Sequence, residues 1–207
     1  RTATADSLTS GERGLLVDLW ALARGPTERA ALVLLDQDLA RQEEAELTRA
    51  KDAFVDHVLA TTAQSGRVFI LCCGSSFHAA KTAALYFNEL AGVQVLPQLP
   101  GEFRGQYGST VRDGDLVVAV SQSGETKDLI DVLNAIEASG RKVARISLVN
   151  NLNSTLAQEK SDVVIPLRCG PEIAVAATKS FINQLAVFFG LALEVGRRRG
   201  GRDLAAR

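Results

Sequence analysis

Short apolar runs alternate with helix-like segments from about residue 66 to residue 198. Residues 67–73 (RVFILCC) form an almost continuous apolar run, which is typical of a strand whose sheet is covered by helices on both faces. We predict further strands at 93–96, 116–120, 143–149 and 163–166, and helices at 77–91, 124–138, 154–159 and 178–197. Elements in this order form right-handed βαβ units. The sequence therefore predicts an α/β fold, a three-layer αβα sandwich around a doubly wound parallel sheet of about five strands.

The first 64 residues have helical patterns only. Ser10 can cap a helix over 11–24, the dipeptide ending in Pro26 stops it before another helix starts near Thr27, and residues 36–64 keep apolar side chains at helical spacings. We therefore predict an N-terminal helical extension over residues 1–64, an α/β domain over 65–198, and a tail or the start of a linker over 199–207.

Composition and charge exclude several classes of protein. Apolar residues make up 46% of the chain, charged residues 23%, and the formal net charge is −1, so we expect a soluble globular protein that binds neither nucleic acid nor membrane. The three cysteines fit reduced thiols in the cytoplasm better than a disulfide framework. The sequence has no CxxC, HExxH, GxGxxG or GxxxxGK[ST] pattern, so we expect no metal and no cofactor.

Two loops rich in serine and glycine follow predicted strands, at the sheet edge where doubly wound domains bind ligands. Residues 121–126 (SQSGET) open a helix, so their hydroxyls and free backbone N–H groups surround one point. Residues 73–76 (CGSS) occupy the same position after an earlier strand, and Gly74 permits a tight turn. This arrangement suits a phosphate. The alternative is helix capping alone, with Ser123 as the N-cap residue.

Two carboxylates near other loops are candidates for proton transfer. Glu102 lies in a stretch over 97–108 that we predict to be irregular because it is rich in proline and glycine, and Glu172 lies just before the last predicted helix. The alternatives are an ion pair of Glu102 with Arg104 or Arg112, and a solvated loop charge at Glu172.

Three segments, CGSSFHAA, SQSGET and GPEIAVAATKSF, resemble the three motifs of the SIS (sugar isomerase) domain family. The resemblance covers about residues 40–198 and is greatest to the first of two such domains in the isomerase part of glutamine:fructose-6-phosphate aminotransferases (glucosamine-6-phosphate synthases). It implies a flavodoxin-like SIS fold that binds a phosphorylated sugar, such as fructose-6-phosphate or glucosamine-6-phosphate. The residues implied in binding are Cys73, Gly74, Ser75, Ser76, Ser121, Gln122, Ser123, Thr126, Val175, Ala176 and Ala177.

The resemblance also implies a role in phosphosugar or amino-sugar phosphate metabolism, by isomerisation or a linked amination or deamination. In two-domain relatives the lysine, glutamate and histidine that open the ring and move the proton belong to the second domain or its neighbour, and nothing here matches those segments. The sequence therefore leaves two alternatives open. One is an enzyme, either single-domain or part of a longer polypeptide, and the other is a non-catalytic sensor or half-site that needs a second SIS domain. We expect a homo-oligomer, most simply a homodimer.

Overall fold

The computed structural model describes residues 26–170 and 178–200, with side chains from residue 44 onward. The strands are β1 (Val68–Cys72), β2 (Val95–Gln98), β3 (Leu116–Ser121), β4 (Ala144–Val149) and β5 (Val163–Pro166). The helices are α1 (Pro26–Ala63), α2 (Ser75–Tyr86), α3 (Pro100–Gln106), α4 (Lys127–Ala138), α5 (Thr155–Glu159) and α6 (Lys179–Arg198), and a π-helical turn (Phe87–Ala91) continues α2. The helix predicted over 11–24 lies outside the described residues.

All five strands run parallel, in the order β2-β1-β3-β4-β5. Val68 of β1 is in register with Val95 of β2 on one side and with Leu116 of β3 on the other. The chain thus places β2 on one side of β1, then crosses over and adds β3, β4 and β5 in turn on the other side of β1. The predicted α/β fold with a doubly wound parallel sheet of five strands is confirmed, and the order of strands reverses between β1 and β3.

Helices cover both faces of the sheet because alternate residues of each strand point to opposite sides. Ile70 of β1 packs into a core with Phe54 of α1 and Phe188 of α6, to which α2 also contributes. Its neighbour Phe69 faces the other core, where its ring lies 5.0 Å from that of Phe103 in α3 and where α4 and α5 also pack. The predicted three layers are therefore present, with α1, α2 and α6 on one side and α3, α4 and α5 on the other.

The stretch over 97–108, predicted to be irregular, contains regular structure. It begins with the end of β2 and continues into α3. Pro97 is tolerated because β2 is an edge strand, and Pro100 stands at the start of α3, where a missing N–H has no helical partner to lose. The proline signals were therefore interpreted wrongly here, and the strand predicted over 93–96 begins at Val95.

Several predicted boundaries also shift. The helices expected from residues 77 and 124 begin at Ser75 and Lys127, and the two N-terminal segments expected to be helical near Thr27 and from residue 36 form one continuous helix that begins at Pro26. Proline at a first helical turn explains the last of these, since its φ suits a helix start.

Candidate functional site

Two loops meet where the strand order reverses. Cys72, the last residue of β1, is in register with Val120 near the end of β3, so the loops that follow the two strands emerge side by side at one edge of the sheet. The loop after β1 leads into α2, and residues 122–126 lead from β3 into α4. In doubly wound sheets ligands bind in this crevice. The two serine-rich and glycine-rich loops singled out in the sequence are therefore neighbours.

Three hydroxyls converge in the second loop. Ser121 Oγ lies 2.8 Å from Thr126 Oγ1 and 3.5 Å from Ser123 Oγ, and it accepts a hydrogen bond from the N–H of Gly124 at 2.9 Å. Ser121 is only 4% exposed because it is the last residue of a central strand, whereas Ser123 is exposed. The cluster therefore runs from a fixed, buried hydroxyl to an accessible one.

Helix capping does not account for these hydroxyls. Thr126, and not Ser123, is the residue that precedes α4, and α4 has no capping hydrogen bond from that side chain. Ser123 Oγ instead accepts a hydrogen bond from the N–H of Glu125 at 3.2 Å, before the helix begins. The alternative of Ser123 as N-cap residue is therefore wrong, and the first N–H groups of α4 remain open to an anion.

The first loop has the same design. Gly74 precedes α2 with a φ of 60°, a left-handed value that favours glycine, and α2 has no capping side chain. An anion can therefore approach the N–H groups of Ser75 and Ser76 without meeting a side chain over the helix end. Ser75 is exposed and Ser76 is 8% exposed.

The two loops are close enough to interact electrostatically. The pKa of the Cys73 thiol is raised by burial and, as a second cause, by the carboxylate of Asp128 in the first turn of α4. Cys73 therefore carries a neutral thiol at neutral pH, and thiolate is the form that acts as a nucleophile. The geometry fits a role for Cys73 in lining the site.

Hydrogen bonds from Thr155 and Leu156 hold the second loop in place, and we call these contacts the brace. Both oxygens of the Glu125 carboxylate accept hydrogen bonds of 2.8 Å from Thr155, one from its N–H and one from its hydroxyl. The carbonyl of Gly124 accepts a hydrogen bond from the N–H of Leu156 at 3.1 Å. These contacts join the loop to the start of α5. The brace cannot be predicted from the sequence because its partners are far apart along the chain.

Gln184 of α6 was also missed. Its Nε2 donates a hydrogen bond to Ser76 Oγ at 3.0 Å, and both side chains are buried. A signal was present in the sequence, since Gln184 shares a helical face with Phe188, Leu191 and Val195. A polar residue on such a face indicates a buried hydrogen bond.

Glu102, one of the two proton-transfer candidates, lies in the first turn of α3 with an exposed side chain. It makes no hydrogen bond or ion pair with any residue that the structure describes, so the predicted alternative of a pair with Arg104 or Arg112 is not seen. Arg112 instead donates to the carbonyl of Ser65 and lies 4.0 Å from Asp115.

The predicted residues of the first two motifs lie together around the crevice: Cys73, Gly74, Ser75, Ser76, Ser121, Gln122, Ser123 and Thr126. Gln122 is held through its carbonyl, which accepts a hydrogen bond of 3.3 Å from the N–H of Asn150. The remaining predicted residues, Glu172, Val175, Ala176 and Ala177, lie outside the described residues.

Residues 26–170 and 178–200, which the structure describes, lack two kinds of feature. No group of three or more His, Cys, Asp or Glu side chains there could hold a metal ion. No helix in the same ranges is long and apolar enough to cross a membrane.

The sequence pattern of the SIS domain family matches residues 62–193, the part of the chain that holds the sheet and both loops. This chain belongs to the SIS domain family. The resemblance that the three motifs carried is thereby confirmed. The match ends inside α6 and begins at the end of α1, so it includes every strand.

Named relatives of this SIS domain are much longer proteins. A glutamine–fructose-6-phosphate aminotransferase of Caulobacter vibrioides is 39% identical over 161 residues, which cover 74% of this chain and 26% of that protein. The enzyme of the same name from Sulfurisphaera tokodaii is 41% identical over 132 residues, covering 64% of this chain and 21% of that protein. The chain thus spans about a quarter or less of the length of these relatives.

Solved structures share the fold. The C-terminal domain of glucosamine-fructose-6-phosphate aminotransferase from Francisella tularensis superposes with a TM-score of 0.59 at 26% identity, covering 76% of this chain and 48% of that one. Phosphoheptose isomerase from Neisseria gonorrhoeae gives a TM-score of 0.58 at 19% identity, covering 84% of this chain and 100% of that one. The second likeness concerns the fold alone.

Proposed function

We propose that this SIS domain binds a phosphorylated sugar, such as fructose-6-phosphate or glucosamine-6-phosphate, and serves phosphosugar or amino-sugar phosphate metabolism. The convergence of the Ser121, Ser123 and Thr126 hydroxyls at the start of α4 carries this proposal. Family membership and the names of the relatives support it from outside the site.

The phosphate lies, in this proposal, between the two uncapped helix ends. Hydroxyl groups and backbone N–H groups can donate several hydrogen bonds to a phosphate, and two helix dipoles add favourable charge. Ser121 Oγ already accepts the N–H of Gly124, so its own proton points to Thr126, to Ser123 or to the ligand. Ser123 is the accessible donor. Neutral donors thus supply most of the proposed contacts in the described part of the site.

The remainder of the sugar extends from the phosphate along the first and third motifs. We assign Cys73, Gly74, Ser75, Ser76 and Gln122 to its surroundings, and Val175, Ala176 and Ala177 to the flank of the sugar chain, on the strength of the family resemblance. The domain unit proposed for this role is residues 65–198, with residues 1–64 as an N-terminal extension and 199–207 as a tail or linker start.

If the domain is catalytic, Glu102 and Glu172 are the proton-transfer candidates. The reaction would move a proton between adjacent carbons of an open-chain sugar, and this requires a base whose pKa is tuned near the carbonyl. The exposed Glu102 has no described partner to orient it. This observation favours the second candidate function, a non-catalytic sensor or a half-site completed by another SIS domain.

We also propose a homodimer in the cytoplasm. Leu85 of α2 and Ile182 and Phe189 of α6 expose 64%, 57% and 45% of their surface, and the rings of Tyr86 and Phe189 lie 5.4 Å apart where the two helices meet. Apolar side chains grouped in this way suit a contact between subunits. The free thiols of the chain suit a reducing compartment. Light scattering during size-exclusion chromatography measures the subunit number, and a monomeric mass would contradict the dimer.

The test of binding is a thermal-shift titration with fructose-6-phosphate and glucosamine-6-phosphate. A ligand at a hundredfold excess over its dissociation constant stabilises a protein by about 2.7 kcal/mol, so the shift is measurable. The Ser121→Ala/Ser123→Ala variant should lose the shift. Ser147→Ala is the matched control, because Ser147 is a buried strand serine that bonds to Ser161 away from the crevice.

An isomerase assay on the ligand that binds then separates the two candidate functions. Turnover supports a single-domain enzyme, and binding without turnover supports the sensor or half-site. No stabilisation by either phosphosugar would contradict the proposed function.

A further inference from the structure

A buried polar pair lies beneath the first loop. Gln184 of α6 is 1% exposed and Ser76 of α2 is 8% exposed, and Gln184 Nε2 donates to Ser76 Oγ over 3.0 Å. The other amide atom, Gln184 Oε1, is buried without a hydrogen-bond partner among the described residues. A buried acceptor left unpaired lowers stability, so the fold alone gives little reason for a glutamine here.

The direction of the bond determines what Ser76 can do. An amide nitrogen has no free lone pair and can only donate, so Ser76 Oγ is the acceptor. A serine hydroxyl has one proton, and no described residue accepts the proton of Ser76. Ser76 is the second residue of α2, at the uncapped end that faces the crevice. Its proton is therefore available to a ligand oxygen there.

We propose that Gln184 is a positioning residue of the phosphate site, which holds the oxygen of Ser76 so that the hydroxyl proton points to the bound anion. The inference rests on the proposed function. It adds a residue that belongs to none of the three motif segments that line the site. Gln184 is 108 residues from Ser76 along the chain.

A double-mutant cycle tests the coupling, with affinities for glucosamine-6-phosphate and fructose-6-phosphate measured by titration calorimetry. Gln184→Leu should weaken binding about fivefold and Ser76→Ala about tenfold, since each affects a hydrogen bond to a charged ligand. In the Ser76→Ala background, Gln184→Leu should change the affinity no further. Asn183→Leu is the control, because Asn183 is the neighbouring amide of α6 and donates instead to the carbonyl of Leu167 at 2.9 Å.

A second variant, Gln184→Glu, gives a readout that a packing role would not change. A carboxylate accepts the proton of Ser76 and places a negative charge beside the anion, so the affinity relative to wild type should fall further than in Gln184→Leu. It should recover as the pH is lowered and the new carboxyl is protonated. Unfolding midpoints without ligand identify any variant that fails to fold.

Two results would overturn the inference while leaving the proposed function intact. The first is wild-type affinity in folded Gln184→Leu and Gln184→Glu, and the second is independent, additive losses from Gln184→Leu and Ser76→Ala. If the wild-type protein binds neither phosphosugar, the proposed function fails and this inference fails with it.

Discussion

Glu125 accepts two hydrogen bonds from Thr155, both 2.8 Å long, and so ties the loop after β3 to the start of α5. The N–H and the hydroxyl of one residue bind the two oxygens of one carboxylate, which fixes the carboxylate in a single orientation. Glu125 lies directly between Gly124 and Thr126, whose atoms contact Ser121. The brace therefore fixes the positions of the hydroxyl groups in the proposed phosphate site.

Removing the brace should weaken binding more than it weakens the fold. In Glu125→Ala we expect a loss of about 1 kcal/mol in the free energy of unfolding and about tenfold in phosphosugar affinity, because the loop must be ordered when the ligand binds. Denaturant titration and calorimetry measure the two quantities. Glu137→Ala is the control, since Glu137 is an exposed glutamate that pairs with Lys160 at 3.3 Å on the far end of α4. Equal affinity of both variants would contradict this role.

Gly124 should be intolerant of any side chain. It has a φ of 69°, and an added Cβ would collide with the side chain of Ser154. Gly124→Ala should therefore lower the free energy of unfolding by more than the roughly 1–2 kcal/mol that the left-handed backbone alone costs an L-residue. Gly140→Ala supplies that reference value, because Gly140 has a φ of 67° with open space around it. Equal losses in the two variants would show that the Ser154 contact is unimportant.

Asp115 should stabilise the fold at the amino ends of the strands, opposite the site. Burial alone would raise the pKa of its carboxyl, but hydrogen bonds from the side chain and N–H of Arg67 and from the N–H of Arg112 lower it. This stabilisation is present above the unfolded pKa, near 3.8, and is lost as the pH falls through the lower folded pKa. Asp115→Asn should cost about 3 kcal/mol at pH 7 and remove this acid dependence.

The matched control for Asp115 is Asp162→Asn. Asp162 also pairs with an arginine, Arg145 at 3.3 Å, but it is exposed, so the expected cost is below about 1 kcal/mol. Urea denaturation across a pH series measures both variants. A similar cost for the two would show that burial of Asp115 adds nothing.

Cys72 should make the fold sensitive to alkali. Burial at the end of β1, and secondarily the adjacent Cys73, raise the pKa of Cys72 from 9.0 to about 12. A thiol whose pKa is raised on folding contributes stability below the unfolded pKa, and that contribution is lost as the pH rises towards the folded one. The free energy of unfolding should fall above pH 9 by up to about 1.4 kcal/mol per pH unit. Cys72→Val should show a shallower decline, and an unchanged slope would contradict the assignment.

The sequence predicts the sheet and the neighbouring positions of the two serine-rich loops, because both depend on local patterns. Continuous apolar runs locate the strands, and the alternation of strands with helices determines which loops meet at the carboxyl edge. The α3 helix is not predicted because Pro100 is also a loop signal, although proline suits a first helical turn.

The parts of the site that escaped prediction depend on contacts between distant segments. Glu125 and Thr155 are 30 residues apart, and Ser76 and Gln184 are 108 apart. A loop glutamate and a helix glutamine each have many possible partners in a sequence, and the packing of α5 and α6 against the sheet selects one. The geometry of the hydroxyl cluster likewise depends on Ser121 being the last residue of a buried strand.

The most direct test of the account is an NMR titration of the 15N-labelled chain with glucosamine-6-phosphate. We predict that the largest amide shifts fall on residues 74–77 and 122–128, the two loops and the first turns of α2 and α4, and that unphosphorylated glucosamine leaves these amides unmoved. Shifts of equal size with glucosamine, or shifts confined to residues away from both loops, would contradict a phosphate site at the crevice between β1 and β3.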